Sequence, residues 1–181
     1  RSTVLIDRSG LWKGKPYKSL TAPNKSVKGR NNLGRITSRN HGGGHKQKYR
    51  LIDFYRKKFN VVGSIERIEY DPNRSCHIML VKFDDGEKAY YLAPQKIKVG
   101  DKIQNGPNSE IKVGNTLPLK DIPVGIDIHN VEIQPGGGGK IARAAGAHVT
   151  ISGSDGSYSI IKMTSGEVRK IDSRCLATIG V

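Results

Sequence analysis

The sequence is poor in four features: acidic side chains in its first third, aromatic residues, cysteine and long apolar runs. Trp, Phe and Tyr account for only 1, 3 and 7 of the 181 residues, so we expect a modest hydrophobic core and long irregular stretches. No run approaches the roughly 18 consecutive apolar residues that a membrane-spanning helix needs. We therefore exclude a transmembrane protein, and we expect no secretory signal because the first residues form no apolar h-region.

The scarcity of cysteine excludes two kinds of site. Cys76 and Cys175 lie about a hundred residues apart, which supports neither a disulfide framework nor a zinc site of the CxxC type. His45 and His77 have no zinc-ligand spacing with a second pair of Cys or His. We therefore predict a reducing compartment, no metal and no cofactor.

Positive charge is concentrated at one end of the chain. Residues 1–60 hold 16 Lys and Arg against 2 Asp and Glu, whereas residues 61–181 hold 15 against 14. The net charge is therefore +14 in the first third and +1 in the rest. Such an imbalance indicates a polyanionic partner for the first third.

Residues 13–48 alternate Gly, Asn, Ser, Lys and Arg and contain no periodic apolar pattern. We interpret them as an extended arm without a packed element. Lys and Arg supply charge, glycine lets the backbone approach a partner closely, and Asn, Ser and Thr can contact phosphate and sugar oxygens. This combination favours threading through a folded nucleic acid, and the alternative is a solvated, disordered tail without a dedicated partner.

From Tyr49 onward, short β-branched and aromatic runs are separated by turn clusters, which predicts strands joined by tight turns. The clearest hairpin spans residues 76–92, with both faces mostly buried and Lys82 exposed. Pro and Gly interrupt pairing near residues 115–125, where we place a domain boundary. The strand spacing indicates small barrels or sandwiches, and the only helix candidate is 140–145. The predicted strands are 61–62, 64–70, 76–83, 87–92, 97–103, 126–133, 147–152, 158–163, 167–171 and 175–179.

Two glycine-rich motifs are similar to enzyme loops but incomplete. The His-Gly-Gly-Gly of residues 41–44 is similar to the oxyanion loop of esterases, yet the sequence has no Gly-x-Ser-x-Gly nucleophile turn. The glycine run 136–139 with Lys140 is similar to a phosphate-binding loop, but Gln134 and Ile141 stand where that motif needs Gly and Ser or Thr. We predict no catalytic residue and no small-molecule substrate.

Arg74 and Arg143 stand out by their context. Arg74 follows an Asp-Pro-Asn turn, and Arg143 follows the glycine run 136–139. Each loop presents one guanidinium, whose planar fork suits bidentate contact with a phosphate or a base. The composition leaves this interpretation and an ordinary surface arginine paired with a carboxylate equally open.

Longer motifs run in order from about Leu11 to the end of the chain. They include GRNNLGRIT (29–37), GGGHK (42–46), EYDPNRS (69–75), LAP (92–94), GNTLP (114–118), IPVG (122–125), HNVE (129–132) and ARAAG (142–146). Together they closely resemble the bacterial-type family of large-subunit ribosomal protein two, the universal L-two family. The resemblance implies an all-β chain with a basic, Gly-rich extended N-terminal arm (1–47), an OB-fold RNA-binding barrel (48–115) and an SH3-like barrel (116–181).

The resemblance also implies a function. Members of the family are structural constituents of the large ribosomal subunit that bind its rRNA near the peptidyl-transferase region and the subunit interface, without enzyme activity of their own. Neighbouring ribosomal proteins and the small subunit are the further partners implied, and a membrane is not. Two arginines central to rRNA binding in the family match Arg74 and Arg143. The rRNA-binding residues expected from the arm and the resemblance are Arg30, Arg35, Arg39, His41, Gly42, Gly43, Gly44, His45, Lys46, Lys48, Arg50, Arg74, Lys140 and Arg143.

One departure and two alternatives accompany this expectation. Family members continue past the position of Val181 into a basic, Gly-rich extension with a His discussed for peptidyl transfer, whose role no residue of this sequence inherits. Abundant Ile, with Asn and Lys, fits an AT-rich coding sequence, and residues 11–20 resemble the opening of alphaproteobacterial or mitochondrial members. On these grounds we favour a mitochondrial ribosome over a bacterial cytoplasm. The alternative functions are a free-standing binder of single strands, with Tyr90 and Tyr91 as stacking platforms, and a hydrolase built on residues 41–44.

Overall fold

Fourteen short strands make up nearly all the regular structure of residues 8–24 and 28–181, the part of the chain that the computed structural model describes. Two three-residue 3-10 helices, Lys18–Leu20 and Leu119–Asp121, complete it. No helix in these two ranges is long and apolar enough to cross a membrane. The strands are β1 (Thr21–Pro23), β2 (Lys48–Arg50), β3 (Val62–Glu69), β4 (Ile78–Phe83), β5 (Lys88–Leu92), β6 (Lys102–Gln104), β7 (Thr116–Pro118), β8 (Asp127–His129), β9 (Val131–Glu132), β10 (Gly139–Ile141), β11 (Val149–Asp155), β12 (Tyr158–Met163), β13 (Val168–Asp172) and β14 (Leu176–Ile179).

The first barrel is built on a four-stranded antiparallel sheet in the order β5-β4-β3-β6. Alternate residues of β4 bury opposite faces, as the hairpin pattern predicts. Met79, Val81 and Phe83 pack inside the barrel, Ile78 and Leu80 pack on the other face, and Lys82 is exposed. The predicted hairpin of residues 76–92 is therefore confirmed.

The second barrel is built on a six-stranded sheet in the order β13-β12-β11-β8-β14-β7. A bulge in β11 between Ile151 and Gly153 shifts the register with β12 and lets the long hairpin bend over the core. Aliphatic side chains such as Ile128, Val149 and Ile161 fill that core. The all-β class, with an OB-fold followed by an SH3-like barrel, is confirmed.

Two sequence-based predictions of local structure are wrong. Residues 140–145 do not form a helix, because Gly139 and Ile141 pair with Glu132 and Val131 of β9 and Ala142 adopts a left-handed backbone with φ of 53°. Of the predicted strand 97–103, only its last two residues lie in β6. Long-range pairing with β9 decides the first case, and local propensity does not register it. In the second case a local turn stands where the strand was predicted: the Lys98 amide donates to Oδ2 of Asp101 at 2.7 Å, and Gly100 has a φ of 94°.

The beginning of the arm is packed, contrary to the prediction of an arm without packed elements. The helix Lys18–Leu20 leads into β1, which pairs antiparallel with β2. Leu20 packs on the outer face of the first sheet beside Ile78 and Leu80, and the Tyr17 amide donates to the Tyr90 hydroxyl oxygen at 2.8 Å. A single half-buried leucine and a few backbone hydrogen bonds produce no periodicity, so no pattern in the sequence predicts this anchor.

The two barrels are joined by backbone hydrogen bonds as well as by the chain. Asn105 forms a parallel bridge with Thr116, and the Gln95 amide donates to the Val181 carbonyl oxygen at 2.6 Å. The change from one sheet to the other falls between Gln104 and Thr116. The domain division at residue 115 remains a prediction.

Candidate nucleic-acid interface

The arm loop, which we define as residues 28–47, is a surface of exposed, unpaired cations. Within the described ranges none of its Lys and Arg side chains forms an ion pair with a carboxylate, whereas several cations of the second barrel are paired. This loop therefore presents net positive charge that no other part of the described chain neutralises. The exposed cations of the arm loop are Lys28, Arg30, Arg35, Arg39 and Lys46.

A small turn gives local order to the first part of the arm loop. The Asn31 side-chain oxygen accepts hydrogen bonds from the amides of Leu33 and Arg35, at 3.0 and 2.9 Å. Arg30 forms an antiparallel bridge with Ile36 and donates from Nη1 to the Gly34 carbonyl oxygen at 2.8 Å. The turn thus brings two exposed arginines, Arg30 and Arg35, onto the two short segments that this bridge joins.

The glycines at 42–44 form an exposed stretch of backbone. Their φ angles are 95°, 84° and 80°, in the left-handed region that favours glycine. In the described part of the chain no atom lies within 4 Å of where a Cβ would stand on Gly43 or Gly44. The flanking His41 and His45 are exposed. The backbone at Gly43 and Gly44 is therefore open, which suits close approach by a partner.

The structure brings Arg74 and Arg143 together on one aromatic ring. The guanidinium carbon of Arg143 lies 4.6 Å from the centroid of Phe54, and that of Arg74 lies 5.8 Å from the same centroid. Arg74 also lies 5.9 Å from the ring of Tyr49, in β2. Contacts of this length are cation–π interactions, which hold a guanidinium over a ring without consuming its hydrogen-bond donors.

The loops that carry the two arginines are hydrogen-bonded to each other across the two barrels. Cys76 donates from Sγ to the carbonyl oxygen of Arg143 at 3.2 Å, and the Ala145 amide donates to Ser75 Oγ at 3.1 Å. Arg143 itself donates from Nη1 to the Gly139 carbonyl oxygen at 3.3 Å. The relative position of the two guanidinium groups is therefore fixed by the junction between the barrels.

The two arginines differ in their electrostatic partners. Arg74 is only 15% exposed and donates from Nε to Oδ2 of Asp71, a fully buried carboxylate, at 2.7 Å. Burial acts to lower the pKa of Arg74, but the hydrogen bond and charge of Asp71 outweigh it and raise that pKa. Arg143 is exposed and has no carboxylate partner in the described ranges. Arg74 is therefore paired with a carboxylate, which is one of the two interpretations that the sequence leaves open. Arg143 has no such partner in the described ranges.

The glycine run 136–139 is closed to an external phosphate. Glu132, which is buried, accepts hydrogen bonds from the amides of Gly136 and Gly138 at 3.2 and 2.9 Å, and from the Leu176 amide at 3.0 Å. The Gly139 amide donates to the Phe54 carbonyl oxygen at 2.9 Å. Because these amides already serve an internal carboxylate and carbonyl, they cannot cradle a nucleotide phosphate.

The remaining expected residues lie on two strands. Lys48 and Arg50 belong to β2, and the Asn73 side chain donates to the Lys48 carbonyl oxygen at 2.9 Å, which ties β2 to the turn before Arg74. Lys140 is exposed on β10, next to Gly139. The expected residues therefore form two groups, the arm loop and the junction around Phe54, with β2 between them.

Sequence reasoning placed base stacking on the wrong aromatic residues. Tyr90 and Tyr91 are both 0% exposed, so neither can stack a base. Sequence reasoning also missed Phe54 and Tyr49 as the rings under the arginines. The spacing of Asp71 and Arg74 is a local sign that the Arg74 guanidinium is fixed in place. A carboxylate three residues before an arginine in a turn can form an ion pair with it.

Buried His129 makes stability depend on pH. Its Nδ1 lies 2.7 Å from the Gly180 carbonyl oxygen. Burial, together with the positive charge of Arg56, lowers the pKa of His129 from 6.5 to about 4, although the hydrogen bond to Gly180 acts to raise it. In the unfolded chain His129 is protonated below about pH 6.5, whereas in the folded chain it is protonated only below about pH 4. We expect the free energy of unfolding to fall by about 2 kcal/mol as the pH drops from 7 to 5.

Urea unfolding at the two pH values measures this change, and His129→Gln should remove most of it. Arg174 holds the pKa of Asp172 at about 2 by a hydrogen bond, so that carboxylate titrates below this window. An equal loss in both proteins would contradict the assignment to His129.

Comparison with known families and proteins covers nearly the whole chain. Residues 17–105 match the family model of the Ribosomal Proteins L2, RNA binding N-terminal domain, and residues 112–181 match that of the Ribosomal Proteins L2, C-terminal domain. The chain is 74% identical, over all of its length, to the large ribosomal subunit protein uL2 of Pelagibacter ubique. Over 99% of its length it is 56% and 53% identical to the proteins of that name from Gluconacetobacter diazotrophicus and Ruegeria pomeroyi. It spans 65%, 65% and 64% of the length of these three relatives.

Proposed function

The chain belongs to the L2 family of ribosomal proteins, and on this basis we propose that it is a structural constituent of the large ribosomal subunit that binds large-subunit rRNA. It acts in assembly and translation as architecture, close to the peptidyl-transferase region and the subunit interface, and not as an enzyme. The RNA-binding description of the first matching domain supports this proposal.

The observation that carries the proposal is the convergence of Arg74 and Arg143 on Phe54. Each arginine comes from a loop of a different barrel, and direct hydrogen bonds hold the loops together. A rigid pair of guanidinium groups can match one arrangement of RNA atoms and reject others, because misplacement of either group leaves donors unpaired. This junction is where discrimination between RNAs arises.

The arm loop has a different role in the proposal. Its exposed cations and open glycine backbone supply attraction to phosphates, which does not depend on sequence. Lys48 and Arg50 in β2, and Lys140 in β10, extend the positive surface from the arm loop to the junction. All fourteen expected residues thus serve rRNA binding. The arm loop supplies most of the affinity, and the junction supplies the discrimination between RNAs.

The proposed partners follow from this place in the ribosome. Besides rRNA, we propose neighbouring ribosomal proteins and the small subunit, across the subunit interface. The three relatives compared above come from bacteria, so they do not support the preference for a mitochondrial ribosome. We place the chain in the large subunit of a ribosome of bacterial type.

Arg143→Ala tests the proposal directly. We expect it to weaken binding to a cognate large-subunit rRNA fragment by roughly 10- to 100-fold and binding to random RNA by only a few fold, because a positioned arginine contact contributes about 1–3 kcal/mol of discrimination. Filter binding to both RNAs measures the difference. Arg174→Ala, at an exposed arginine of the second barrel that is paired with Asp172, is the matched control and should change neither affinity.

Arg74→Ala needs a stability measurement beside it, because it leaves the fully buried Asp71 carboxylate without its ion-pair partner. The double variant Asp71→Asn with Arg74→Ala removes that unpaired charge. Equal losses on cognate and random RNA in both the Arg143 and the Arg74 variants would reduce the two arginines to general phosphate contacts and would overturn the proposed discrimination.

A further inference from the structure

A second surface combines a half-exposed tryptophan with cations that form no ion pair within the described ranges. We call it the Trp12 pocket and define it by Arg8, Trp12, Lys13, Arg50 and Tyr70, which line a cavity of about 290 Å³. That volume is just below the roughly 300–1,000 Å³ of typical small-ligand sites. It has room for one flat group of the size of a nucleobase.

Trp12 is held in place but half exposed. Its amide donates to the Ile68 carbonyl oxygen at 2.8 Å, which fixes the segment along β3. A side chain at Gly14 would collide with the indole, since a Cβ there would lie 2.5 Å from the indole nitrogen. The residue is nevertheless 49% exposed. A positioned, exposed indole that serves no core is a stacking surface.

The rings of the pocket already carry cations. The guanidinium carbon of Arg67 lies 4.9 Å from the ring of Trp12, and that of Arg8 lies 4.9 Å from the ring of Tyr70. Arg67 is fixed by its Nε, which donates to Glu69 at 2.7 Å. Neighbouring cations and aromatic rings are the combination that binds the phosphate and the base of one nucleotide.

The charge of the pocket is not balanced from within. Glu69 is the carboxylate in its lining, is 2% exposed, and is occupied by Arg67 and by the Tyr90 hydroxyl, which donates to it at 2.9 Å. Arg8, Lys13 and Arg50 form no ion pair within the described ranges. The buried Nε of Arg50 also has no hydrogen-bond partner there.

We propose that the Trp12 pocket binds one unpaired nucleotide of RNA, with the base on the exposed surface of the indole and the phosphate between Arg8, Lys13 and Arg50. The inference rests on the proposed function in taking RNA as the partner, but it adds a contact whose residues, apart from Arg50, are not among the fourteen expected ones. An acidic peptide would satisfy the cations but would leave the indole surface unused, so the RNA is favoured.

Trp12 is the single tryptophan of the chain, so its fluorescence reports on this pocket alone. We expect the single-stranded RNA of eight adenosines to quench its emission saturably, since a stacked base quenches an indole. Binding of the labelled oligonucleotide, followed by anisotropy, should weaken by roughly 5- to 100-fold in Trp12→Ala and recover in part in Trp12→Phe. Tyr158→Ala, at an equally exposed ring of the second barrel, should change nothing.

Unchanged emission while the oligonucleotide binds would overturn the Trp12 pocket and leave the rRNA-binding function standing. Equal quenching by inorganic phosphate or by a polyglutamate peptide would also overturn it, as a general anion or protein site. Failure of the full chain to bind large-subunit rRNA in a parallel filter assay would instead overturn the proposed function itself.

Discussion

We expect replacement of residues 28–46 by a short Gly-Ser linker to lower affinity for large-subunit rRNA by about 100-fold or more and to flatten its salt dependence. The replacement removes five exposed cations that have no carboxylate partner in the described ranges. Each cation bound to a phosphate contributes roughly 0.7 to 0.9 to the slope of log affinity against log salt, so the slope should fall by up to about four. Binding measured from about 50 to 400 mM salt gives that slope.

The structure decides where such a replacement can begin and end. Deleting all of 13–50 would also remove β1 and β2 and would uncover Ile78 and Leu80, which Leu20 covers. Loss of binding could then reflect a damaged barrel. The linker between β1 and β2 leaves this anchor intact, and an unchanged thermal transition would confirm that it does.

A matched control keeps the net charge equal. Five exposed cations of the C-terminal half, Lys112, Lys162, Arg169, Lys170 and Arg174, can be changed together to Gln. If attraction is local to the arm loop, the slope changes far less in this control than in the linker variant. Equal slopes in the two variants would show that net charge alone draws the RNA, and the assignment of phosphate contacts to the arm loop would be wrong.

Sequence reasoning succeeds where the determinant is local. The alternation of Met79, Val81 and Phe83 with Ile78 and Leu80 defines the two faces of β4, because successive side chains of a strand point to opposite sides. The turn at 84–86 closes the hairpin there, with the Gly86 amide donating to the Phe83 carbonyl oxygen at 2.9 Å. The positive charge of the arm loop can likewise be counted from the sequence, and it stays available to a partner because its lysines and arginines are exposed.

Sequence reasoning fails where a local structure depends on a contact between residues that are distant in the sequence. The bond from the Ala145 amide to Ser75 spans 70 positions of sequence, and that from Cys76 to Arg143 spans 67. No periodicity or motif encodes such a pairing, so Arg74 and Arg143 could be chosen singly by their loops but not placed together on Phe54. The packing of Leu20 on Ile78 and Leu80 could not be predicted for the same reason.

The junction owes its rigidity to close packing of main chain, and Gly139 is its tightest point. Its amide donates to Phe54, and its carbonyl oxygen accepts from Arg143, so both partners of the aromatic contact depend on it. A Cβ at this position would overlap the Asn130 side chain and would lie 2.6 Å from the Asn130 carbonyl oxygen. We expect Gly139→Ala to lower the free energy of unfolding by about 4 kcal/mol, because main chain must move to admit it.

Urea unfolding of Gly139→Ala beside Gly153→Ala separates this collision from the general effect of adding a methyl group to a strand glycine. No described atom lies within 4 Å of a Cβ at Gly153, so the control should stay within about 0.5 kcal/mol of the parent. Asn130→Gly should rescue Gly139→Ala in part, since it removes the side-chain overlap but not the carbonyl contact, and φ at 130 is already 51°. A loss in Gly139→Ala no larger than in the control would mean that the loop of Asn130 yields freely, and a yielding junction could not hold Arg74 and Arg143 in one fixed arrangement.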